Sequence, residues 1–384
     1  MRKKIIKLLS YIIFPRCLFP KHETKSKDIV IIKTDGIGDY ILFRNYLKII
    51  RDSRKFSGYK ITLVGNILWK DLSEFFDKNF IDDFIWIDKN KYVKNLIYRY
   101  KIISKINSKS YALLLNPTYS REIMISENIV RLVHASQKIG FFGDVSNITL
   151  FQREITSKNY TNLIYQEDDI KFEFDRNYNF FEKVLFDETF EVRLEVQQTK
   201  QKKPYKLVVF IGGAARFRRW NTRNYAILTR NLKQNFGYEV VLCGTSNEIQ
   251  EADDFIKEAD FEYENLVGKT SLIDMVNIIS ECGILLTNDS GFSHLAIALK
   301  LDLVVVISNG NHYKRFVPYP TYISKDNYIA FFPKAIKIDD VELNCDLYGT
   351  GSDLDINDVD VNEVIEVVHG RLRHGGFEYG VQQK

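Results

Sequence analysis

Residues 283–296 of the chain read GILLTNDSGFSHLA, and this stretch decides how the second half of the chain is interpreted. An apolar run of strand type leads into a polar turn, and a run with helical spacing follows. Asp289 and Ser290 are residue types that cap helices, and Gly291 lets other groups approach the backbone closely. A helix N-terminus has partial positive charge and unpaired N–H donors. The stretch therefore predicts either a site for phosphate or sugar hydroxyl groups, or simply a well-capped turn.

Strand-like and helix-like runs alternate on both sides of this stretch. Apolar runs at 28–33, 60–64 and 111–115 predict buried parallel strands in the first half, and the alternation restarts at 206–211. The polar run 197–204 separates the two series and is a candidate linker. This order predicts an α/β protein with two βαβ domains in series and a cleft between them, with ligands at the carboxyl ends of the strands.

We place the domain boundaries from this alternation. The first domain spans 27–196 and the second spans 205–345. Residues 1–26 form a basic amphipathic extension, and residues 346–384 hold a last helix and a tail. This last helix could cross back to the first domain.

The composition excludes several classes of protein. The 384 residues are 45% hydrophobic and 27% charged, as in a globular protein. The net charge of +4 is too small, and the basic residues too scattered, for a dedicated nucleic-acid-binding protein. Cys17, Cys243, Cys282 and Cys345 form no CxxC pair, so we expect free thiols of a reducing compartment and no metal site.

The N-terminus has a composition of its own. The first 20 residues carry five basic side chains and no acidic one, and Ile5, Leu8, Leu9 and Ile12 share one helical face. No apolar stretch approaches the roughly 20 residues that span a bilayer. Two alternatives remain, a helix lying on an anionic membrane surface and a helix docked on the core of the protein itself.

Two further turns after predicted strands carry candidate functional residues. The first is Asp35-Gly36-Ile37-Gly38-Asp39, in which Asp39 is either a helix cap or a general base, with Asp35 as the alternative base. The second begins with Gly212-Gly213 and continues to Arg216, Arg218 and Arg219. Glycines followed by arginines suit a diphosphate, whereas the simpler alternative is a solvated basic turn.

Three other side chains are weaker candidates. His294 lies four residues after Ser290 on the same side of the predicted helix start, although packing is the commoner role for a lone histidine. Arg44 and Lys48 follow Asp39 on a predicted helix and could face an anionic acceptor. The alternative for both is a solvated helix face.

Taken together, these motifs resemble the ADP-heptose:lipopolysaccharide heptosyltransferase family, which is glycosyltransferase family 9. The resemblance rests on the Gly-Asp turn at 38–39, the Gly-Gly…Arg-Arg-Trp turn at 212–220, and the Val-Gly-Lys-Thr-Ser-Leu run at 267–272. The most specific string is Asn-Asp-Ser-Gly-x-x-His-Leu-Ala at 288–296, and the likeness covers roughly residues 28 to 320. The chain departs from the family at Asn221, where a proline commonly follows the tryptophan.

The resemblance implies the GT-B fold, with two Rossmann-like domains facing a central cleft. It implies an inverting transfer of a sugar from a nucleotide sugar, most simply heptose from ADP-heptose, onto lipopolysaccharide core, without a metal. By family position Asp39 is the catalytic base, and the donor is bound by residues of three of these motifs: Gly38, Gly212, Gly213, Arg218, Arg219, Asp289, Ser290, Gly291 and His294. The implied location is the cytoplasm, with peripheral contact to the inner membrane.

Alternatives to this function stay open at the level of sequence. One is transfer from another nucleotide sugar or to a protein acceptor. The other belongs to a different class, a nucleotide-sugar-binding assembly subunit without catalysis. The presence of Gly38 and Asp39 favours an enzyme.

Overall fold

The computed structural model of the chain describes residues 11–19, 26–166, 171–324, 326–337 and 339–374. The chain divides into two compact units. The first comprises residues 1–169 and 174–193, and the second comprises residues 170–173 and 194–384. Each unit contains a parallel β-sheet with helices, so the α/β class is confirmed.

The described residues of the first unit form a six-stranded parallel sheet in the order β3-β2-β1-β4-β5-β6. Its central strand has four consecutive buried apolar side chains at 29–32, the pattern of a parallel strand covered on both faces. The strands are β1 Asp28–Lys33, β2 Lys60–Asn66, β3 Asp83–Ile87, β4 Tyr111–Asn116, β5 Ala135–Phe141 and β6 Asn162–Ile164.

The helices of this unit are shorter than the sequence pattern predicts. The apolar spacing over 40–51 predicts one helix, but the chain turns at 42–44 and forms two. The spacing over 121–134 also predicts a helix, but only seven of these residues are helical. The helices are α1 Ile37–Ile41, α2 Asn45–Asp52, α3 Lys70–Phe76, α4 Lys89–Lys94, α5 Leu96–Ile106, α6 Ser126–Leu132, α7 Leu150–Ser157 and α8 Glu173–Val184.

The described part of the N-terminal extension, residues 11–19, is docked on α6. The Arg131 guanidinium donates to the carbonyl oxygens of Tyr11 (2.6 Å) and Phe14 (2.7 Å), and the Asn128 amide also donates to Tyr11 (2.8 Å). The Tyr11 ring is buried, whereas Ile12 and Ile13 are exposed. Of the two alternatives for the N-terminus, docking on the protein itself applies to residues 11–19. Ile5, Leu8 and Leu9 lie outside the described residues.

The described residues of the second unit also form a six-stranded parallel sheet, in the order β12-β11-β10-β7-β8-β9. Strand β10 lies between β11 and β7, and all seven of its residues are buried. The strands are β7 Lys203–Phe210, β8 Glu239–Cys243, β9 Glu264–Asn265, β10 Cys282–Asn288, β11 Leu303–Ile307 and β12 Tyr328–Phe331. The helices are α9 Thr222–Phe236, α10 Ile249–Glu258, α11 Leu272–Glu281, α12 Gly291–Ala298, α13 Val341–Tyr348 and α14 Val361–His374.

The polar run before β7 is bound to the second unit. The Gln198 amide donates to the carbonyl oxygen of Leu299 (2.9 Å), and the Thr199 N–H donates to the Ser280 hydroxyl (3.3 Å). These hydrogen bonds hold part of the run against the C-terminal ends of α11 and α12. Its role as a linker stays a prediction.

The last helix belongs to the core of the second unit. Val364, Val368 and Leu372 of α14 are buried in the same cluster as the apolar residues of β7 and α9. The indole N–H of Trp220 donates to the carbonyl oxygen of Val359 just before this helix (3.2 Å). This packing places α14 in the second unit, and its crossing back to the first domain stays a prediction. None of the described helices combines the length and apolar composition that crossing a bilayer requires.

Candidate functional site

A buried asparagine joins the loops at the carboxyl end of the second sheet. Asn288 ends β10, and its amide nitrogen donates to the carbonyl oxygens of Ile211 (2.9 Å) and Gly212 (3.0 Å), which follow β7. Its amide oxygen accepts from the Trp220 backbone N–H (2.9 Å) and the Tyr225 hydroxyl (3.0 Å). All four hydrogen-bonding positions of the amide are used. The turn after β7 is therefore fixed relative to the end of β10.

The turn after β7 packs too closely for a side chain at its first glycine. A Cβ at Gly212 would lie 2.6 Å from the Phe210 ring, closer than real Cβ contacts. At the next residue, the Gly213 carbonyl oxygen accepts from Nε (3.0 Å) and Nη2 (2.9 Å) of Arg219. The same guanidinium pairs with Glu248 (2.9 Å) and Glu251 (2.8 Å). Arg219 is therefore fully engaged in holding the turn.

Arg218 connects this turn to the stretch after β10. Its Nη2 lies 2.5 Å from the Asp289 carboxylate and 3.4 Å from the Asp289 carbonyl oxygen. The buried Nε–H of Arg218 has no hydrogen-bond partner among the described residues. Since unpaired buried donors are costly, this group marks a place where an acceptor atom of a ligand would be stabilised.

The N-terminus of α12 is left without a side-chain cap. Ser290 is the N-cap residue, but its side chain does not accept from the first-turn N–H groups. Its hydroxyl is instead hydrogen-bonded to the Thr287 hydroxyl (3.1 Å). The sequence predicted that Asp289 or Ser290 would cap this helix; the cap is absent because both side chains are engaged elsewhere. The uncapped start of α12, with its helix dipole, and Arg218 thus meet at one turn, which is the arrangement of an anion site.

His294 lies one turn into α12 and is enclosed by aromatic side chains. Its Nδ1 is hydrogen-bonded to the Tyr319 hydroxyl, and the Phe316 ring centroid lies 6.0 Å away. Burial lowers the pKa of His294 to about 4, against the raising effect of the Asp289 charge. The imidazole is therefore neutral at pH 7. It shapes the site as a hydrogen-bonding aromatic ring and not as a cation.

A cavity of about 570 Å³ adjoins the arginine-bearing turn. Arg216, Phe217 and Arg219 of this turn line one side of the cavity, and the segment 352–357 lines the other. The Asn221 backbone N–H donates to the Asn357 side chain (2.9 Å), which ties this segment to the turn. A proline at 221, common in the resembled family, would have no N–H to make this bond.

The Asp-Gly turn of the first unit also sits at the carboxyl end of a sheet. The Asp35 carboxylate pairs with the buried Lys33 ammonium (2.9 Å) and accepts from the Thr118 hydroxyl (3.0 Å). Burial tends to raise the pKa of Asp35, but the Lys33 charge and these hydrogen bonds outweigh burial and lower the pKa. The Asn66 amide and Trp69 indole both donate to the Asp35 carbonyl oxygen (3.1 Å each), which fixes the turn.

Asp39 lies in the first turn of α1. Its carboxylate accepts from the Gly36 backbone N–H at 3.3 Å, a long hydrogen bond of capping type. Asp39 and Gly38 are both partly exposed. The capping alternative is thus present in the structure, and the partial exposure leaves the carboxylate accessible to a substrate.

Arg44 and Lys48 have structural or solvated roles. Arg44 is buried, its guanidinium pairs with Asp77 (2.7 Å), and it lies over the Phe76 ring (5.0 Å). The charge of Arg44 is thus paired inside the unit, and its assignment to acceptor binding stays a prediction. Lys48 is exposed and pairs with Asp52 one turn later (2.8 Å), as in an ordinary solvated helix face.

A family model corresponds to the central part of the chain. The model of glycosyltransferase family 9 (heptosyltransferase) matches residues 99–330, which is more than half of the chain. The chain belongs to glycosyltransferase family 9. Both turns of the second unit lie within the matched residues, whereas the Asp-Gly turn of the first unit precedes them.

Known family 9 proteins align over a part of the chain in sequence. Lipopolysaccharide heptosyltransferase 2 of Salmonella typhimurium is 36% identical over 93 residues, which are 23% of this chain and 26% of that protein. Its counterpart of Escherichia coli K12 is 34% identical over 93 residues, with the same coverage. The alignments thus span about a quarter of these relatives.

Solved structures show the likeness of fold over most of the chain. The family 9 glycosyltransferase of Veillonella parvula superposes with a TM-score of 0.66 at 18% identity and covers 92% of this chain and 100% of its own. The E. coli heptosyltransferase WaaC with ADP gives a TM-score of 0.65 at 14% identity and covers 90% of this chain and 99% of its own. This is the GT-B fold that the motifs of family 9 led us to expect.

The structure brings most of the predicted family 9 residues together within the second unit. The turns at 212–219 and 289–294, far apart in sequence, meet through the Arg218–Asp289 pair. Arg219 positions the turn through Gly213, Glu248 and Glu251, and its contact with the donor stays a prediction. Gly38 and Asp39 lie in the other unit, at the end of its own sheet. Within the described residues, no group of three or more His, Cys, Asp or Glu side chains is placed to hold a metal ion.

Sequence reasoning missed three features of this family 9 site. The first is Asn288, which belongs to the most specific motif but has no role in the sequence analysis. It is fully buried, and a buried asparagine between a strand and a turn needs hydrogen-bond partners on the neighbouring loops. The segment 352–357 carries no motif, and its position beside the turn follows only from the packing of α14. The pairing of Arg219 with Glu248 and Glu251 joins residues about 30 positions apart, which no local pattern reveals.

Replacing Asn288 by Ala should lower the free energy of unfolding by roughly 3 kcal/mol, because two buried carbonyls, a backbone N–H and a hydroxyl lose their partner. Urea unfolding measures the change. Asn235→Ala on the exposed side of α9 is the matched control and should stay within about 0.5 kcal/mol of the parent. An equal change in both variants would contradict the hub role of Asn288.

The buried, neutral His294 predicts a specific dependence of stability on pH. Its folded pKa is about 4 and its ordinary value is 6.5, so below pH 6.5 the unfolded chain takes up a proton that the folded chain does not. Stability is therefore lost as pH falls from about 6.5 towards 4. Between about pH 7 and pH 5 we expect the parent to lose about 2 kcal/mol more than His294→Gln in urea unfolding. Parallel pH profiles for the two proteins would show that His294 titrates normally.

Proposed function

We propose that this family 9 protein is an inverting glycosyltransferase that moves a sugar, heptose from ADP-heptose, onto a lipopolysaccharide core or related surface glycan. The observation that carries the proposal is the anion site of the second unit. There the unpaired Nε–H of Arg218 and the uncapped N-terminus of α12 lie at one turn. A nucleoside diphosphate provides the charge and the acceptor oxygens that both groups require.

The donor sugar has a recognition group beside this site. Asp289 is only 4% exposed, and its carboxylate is held by Arg218. A carboxylate in this position accepts hydrogen bonds from sugar hydroxyl groups, while neutral His294 and its aromatic neighbours enclose the apolar faces of the donor. The similar proteins support ADP-heptose as the donor: the sequence relatives are lipopolysaccharide heptosyltransferases, and the structure of WaaC contains ADP.

Asp39 is the base in the proposed reaction, and the first unit supplies it. An acceptor hydroxyl gives its proton to the Asp39 carboxylate while its oxygen forms a bond to the anomeric carbon. The bond from that carbon to the diphosphate breaks, and the electron pair leaves with the phosphate oxygen. Attack opposite the leaving group inverts the anomeric configuration. Arg218 and the start of α12 stabilise the charge that develops on the leaving group.

Asp35 is the poorer candidate for the base. Its carboxylate is bound to Lys33 and Thr118, and its pKa is lowered, which weakens it as a proton acceptor. Its role in the proposal is to position the turn that carries Gly38 and Asp39. The proposed acceptor is lipid-linked, so the protein would work in the cytoplasm at the face of the inner membrane.

A pair of substitutions separates the two carboxylates. Asp39→Asn should lower the transfer rate by roughly 10²- to 10⁴-fold, the usual worth of a general base, with little change in stability. Asp35→Asn should lower the free energy of unfolding by about 2 kcal/mol, because it leaves Lys33 buried without its carboxylate. The assays are transfer of sugar from ADP-heptose to a core acceptor and urea unfolding. Near-normal turnover of Asp39→Asn would remove it as the base.

The two neighbouring arginines predict different consequences. Arg218→Gln should weaken ADP binding by at least roughly tenfold, because charge-assisted hydrogen bonds to phosphate are lost. Arg219→Gln should mainly lower the free energy of unfolding, by about 2 kcal/mol, because the buried Glu248 carboxylate loses its ion pair. Calorimetric titration with ADP and urea unfolding measure the two effects. Arg216→Gln, at a highly exposed side chain, is the control for stability, and unchanged ADP affinity in Arg218→Gln would refute the anion site.

A further inference from the structure

One surface of the first unit exposes apolar side chains between lysines. It is formed by α4, α5 and the docked segment 11–19, and we call it the α5 face. Ile97 is 69% exposed, and other large apolar residues of the face are about half exposed. The exposed apolar members are Ile12, Ile13, Leu18, Leu96, Ile97 and Tyr100. Large exposed apolar patches on a protein surface usually mark an interaction site.

The two parts of the α5 face are joined by aromatic contacts. The Tyr100 ring on α5 lies 6.2 Å from the Phe14 ring and 5.6 Å from the Phe19 ring, measured between centroids. Phe19 shares a buried cluster with Ile103 and Ile106 on the inner side of α5. The segment 11–19 therefore lies against α5, and both elements expose apolar side chains at this part of the surface.

The charge of the α5 face has a single sign. Residues 89–121 contain eight lysines and arginines and no aspartate or glutamate. Nearby Asp88 and Glu122 pair with Lys91 (3.4 Å) and Lys89 (2.8 Å). Within the part of the chain that the structure describes, no acidic side chain pairs with exposed Lys94, Lys101 or Lys105. Lys101 and Lys105 lie on α5 with Ile97 and Tyr100, and Lys94 ends α4. The positive charge of these three lysines is therefore not neutralised by an ion pair among the described residues.

We propose that the α5 face docks on the surface of an anionic lipid bilayer. Its apolar side chains would enter the boundary between headgroups and acyl chains, where Tyr100 is also favoured. The lysines would lie among the negative headgroups, each contributing through attraction to the surface potential. A binding surface for nucleic acid would not require the exposed isoleucines. A second copy of the chain would bring the same positive charge and be repelled.

The sequence that precedes the docked segment is also basic. Its ten residues include Arg2, Lys3, Lys4 and Lys7 and no acidic residue. The inference concerns a surface and holds whether or not the proposed transfer activity is correct. If both are correct, docking would bring the enzyme to the layer in which a lipid-linked acceptor lies.

The test is binding of the full-length protein to vesicles. Sedimentation with phosphatidylcholine vesicles, with and without phosphatidylglycerol, should show binding that needs the anionic lipid and weakens as salt is raised. Lys101→Gln/Lys105→Gln should lower the partition coefficient on the order of 30-fold. Ile97→Ser/Tyr100→Ser should lower it by roughly tenfold. The charge-matched control Lys78→Gln/Lys183→Gln, at exposed lysines on other elements of the first unit, should bind as the parent does.

Several outcomes would overturn the proposal. Equal binding of the parent and the two α5 variants would exclude the face as the membrane contact. If only the lysine variant lost binding, the face would bind anionic surfaces through charge alone, without insertion of its apolar side chains into the lipid. ADP binding and thermal unfolding of each variant show that it is folded, and the single changes Lys101→Gln and Ile97→Ser repeat the comparison if a double variant is not. The vesicle assay uses neither donor nor acceptor, so its failure is separate from failure of the proposed transfer.

Discussion

The side chain of Asn288 is the constraint on which the second unit's site depends. Its carboxamide has two donors and two acceptor positions, and each has a buried partner on the turn after β7 or at the start of α9. A buried amide with all its partners stabilises one arrangement of the loops and penalises every other. Arg218 can therefore meet Asp289 in a fixed geometry, although 71 positions separate them in the chain.

The first unit uses a related device at the end of its own sheet. Asn66 ends β2, and its amide nitrogen donates to the carbonyl oxygens of Thr34 (3.2 Å) and Asp35 (3.1 Å) just after β1. In both units an asparagine at the end of one strand fixes the turn after the neighbouring strand. The turns that carry the candidate chemistry are thus rigid parts of the sheets' carboxyl ends. This rigidity favours a site in which charged groups are positioned before a substrate arrives.

The α/β class, the parallel sheets and most strands could be predicted from sequence, because buried parallel strands such as 29–32 and 282–288 are nearly continuous apolar runs. Local patterns also located the turns around Asp39, Arg218 and Asp289. They could not assign roles to neighbouring residues of one type. Arg218 and Arg219 look alike in sequence, yet one faces Asp289 with an unpaired N–H and the other is saturated by Glu248 and Glu251. Local patterns also could not reveal the pairing of Arg44 with Asp77, which is 33 positions away.

Asn221 stands where the resemblance to family 9 led us to expect a proline, and its backbone N–H makes a hydrogen bond that proline cannot make. The acceptor is the side chain of Asn357, on the segment that walls the cavity. Positions 221 and 357 are therefore chemically coupled in this chain. In a relative with proline at position 221, the residue at position 357 no longer has to accept a hydrogen bond from that backbone N–H. The residues at the two positions should therefore vary together between lineages. The identity of the residue after the tryptophan would then indicate how firmly a given family member anchors the wall of its cavity.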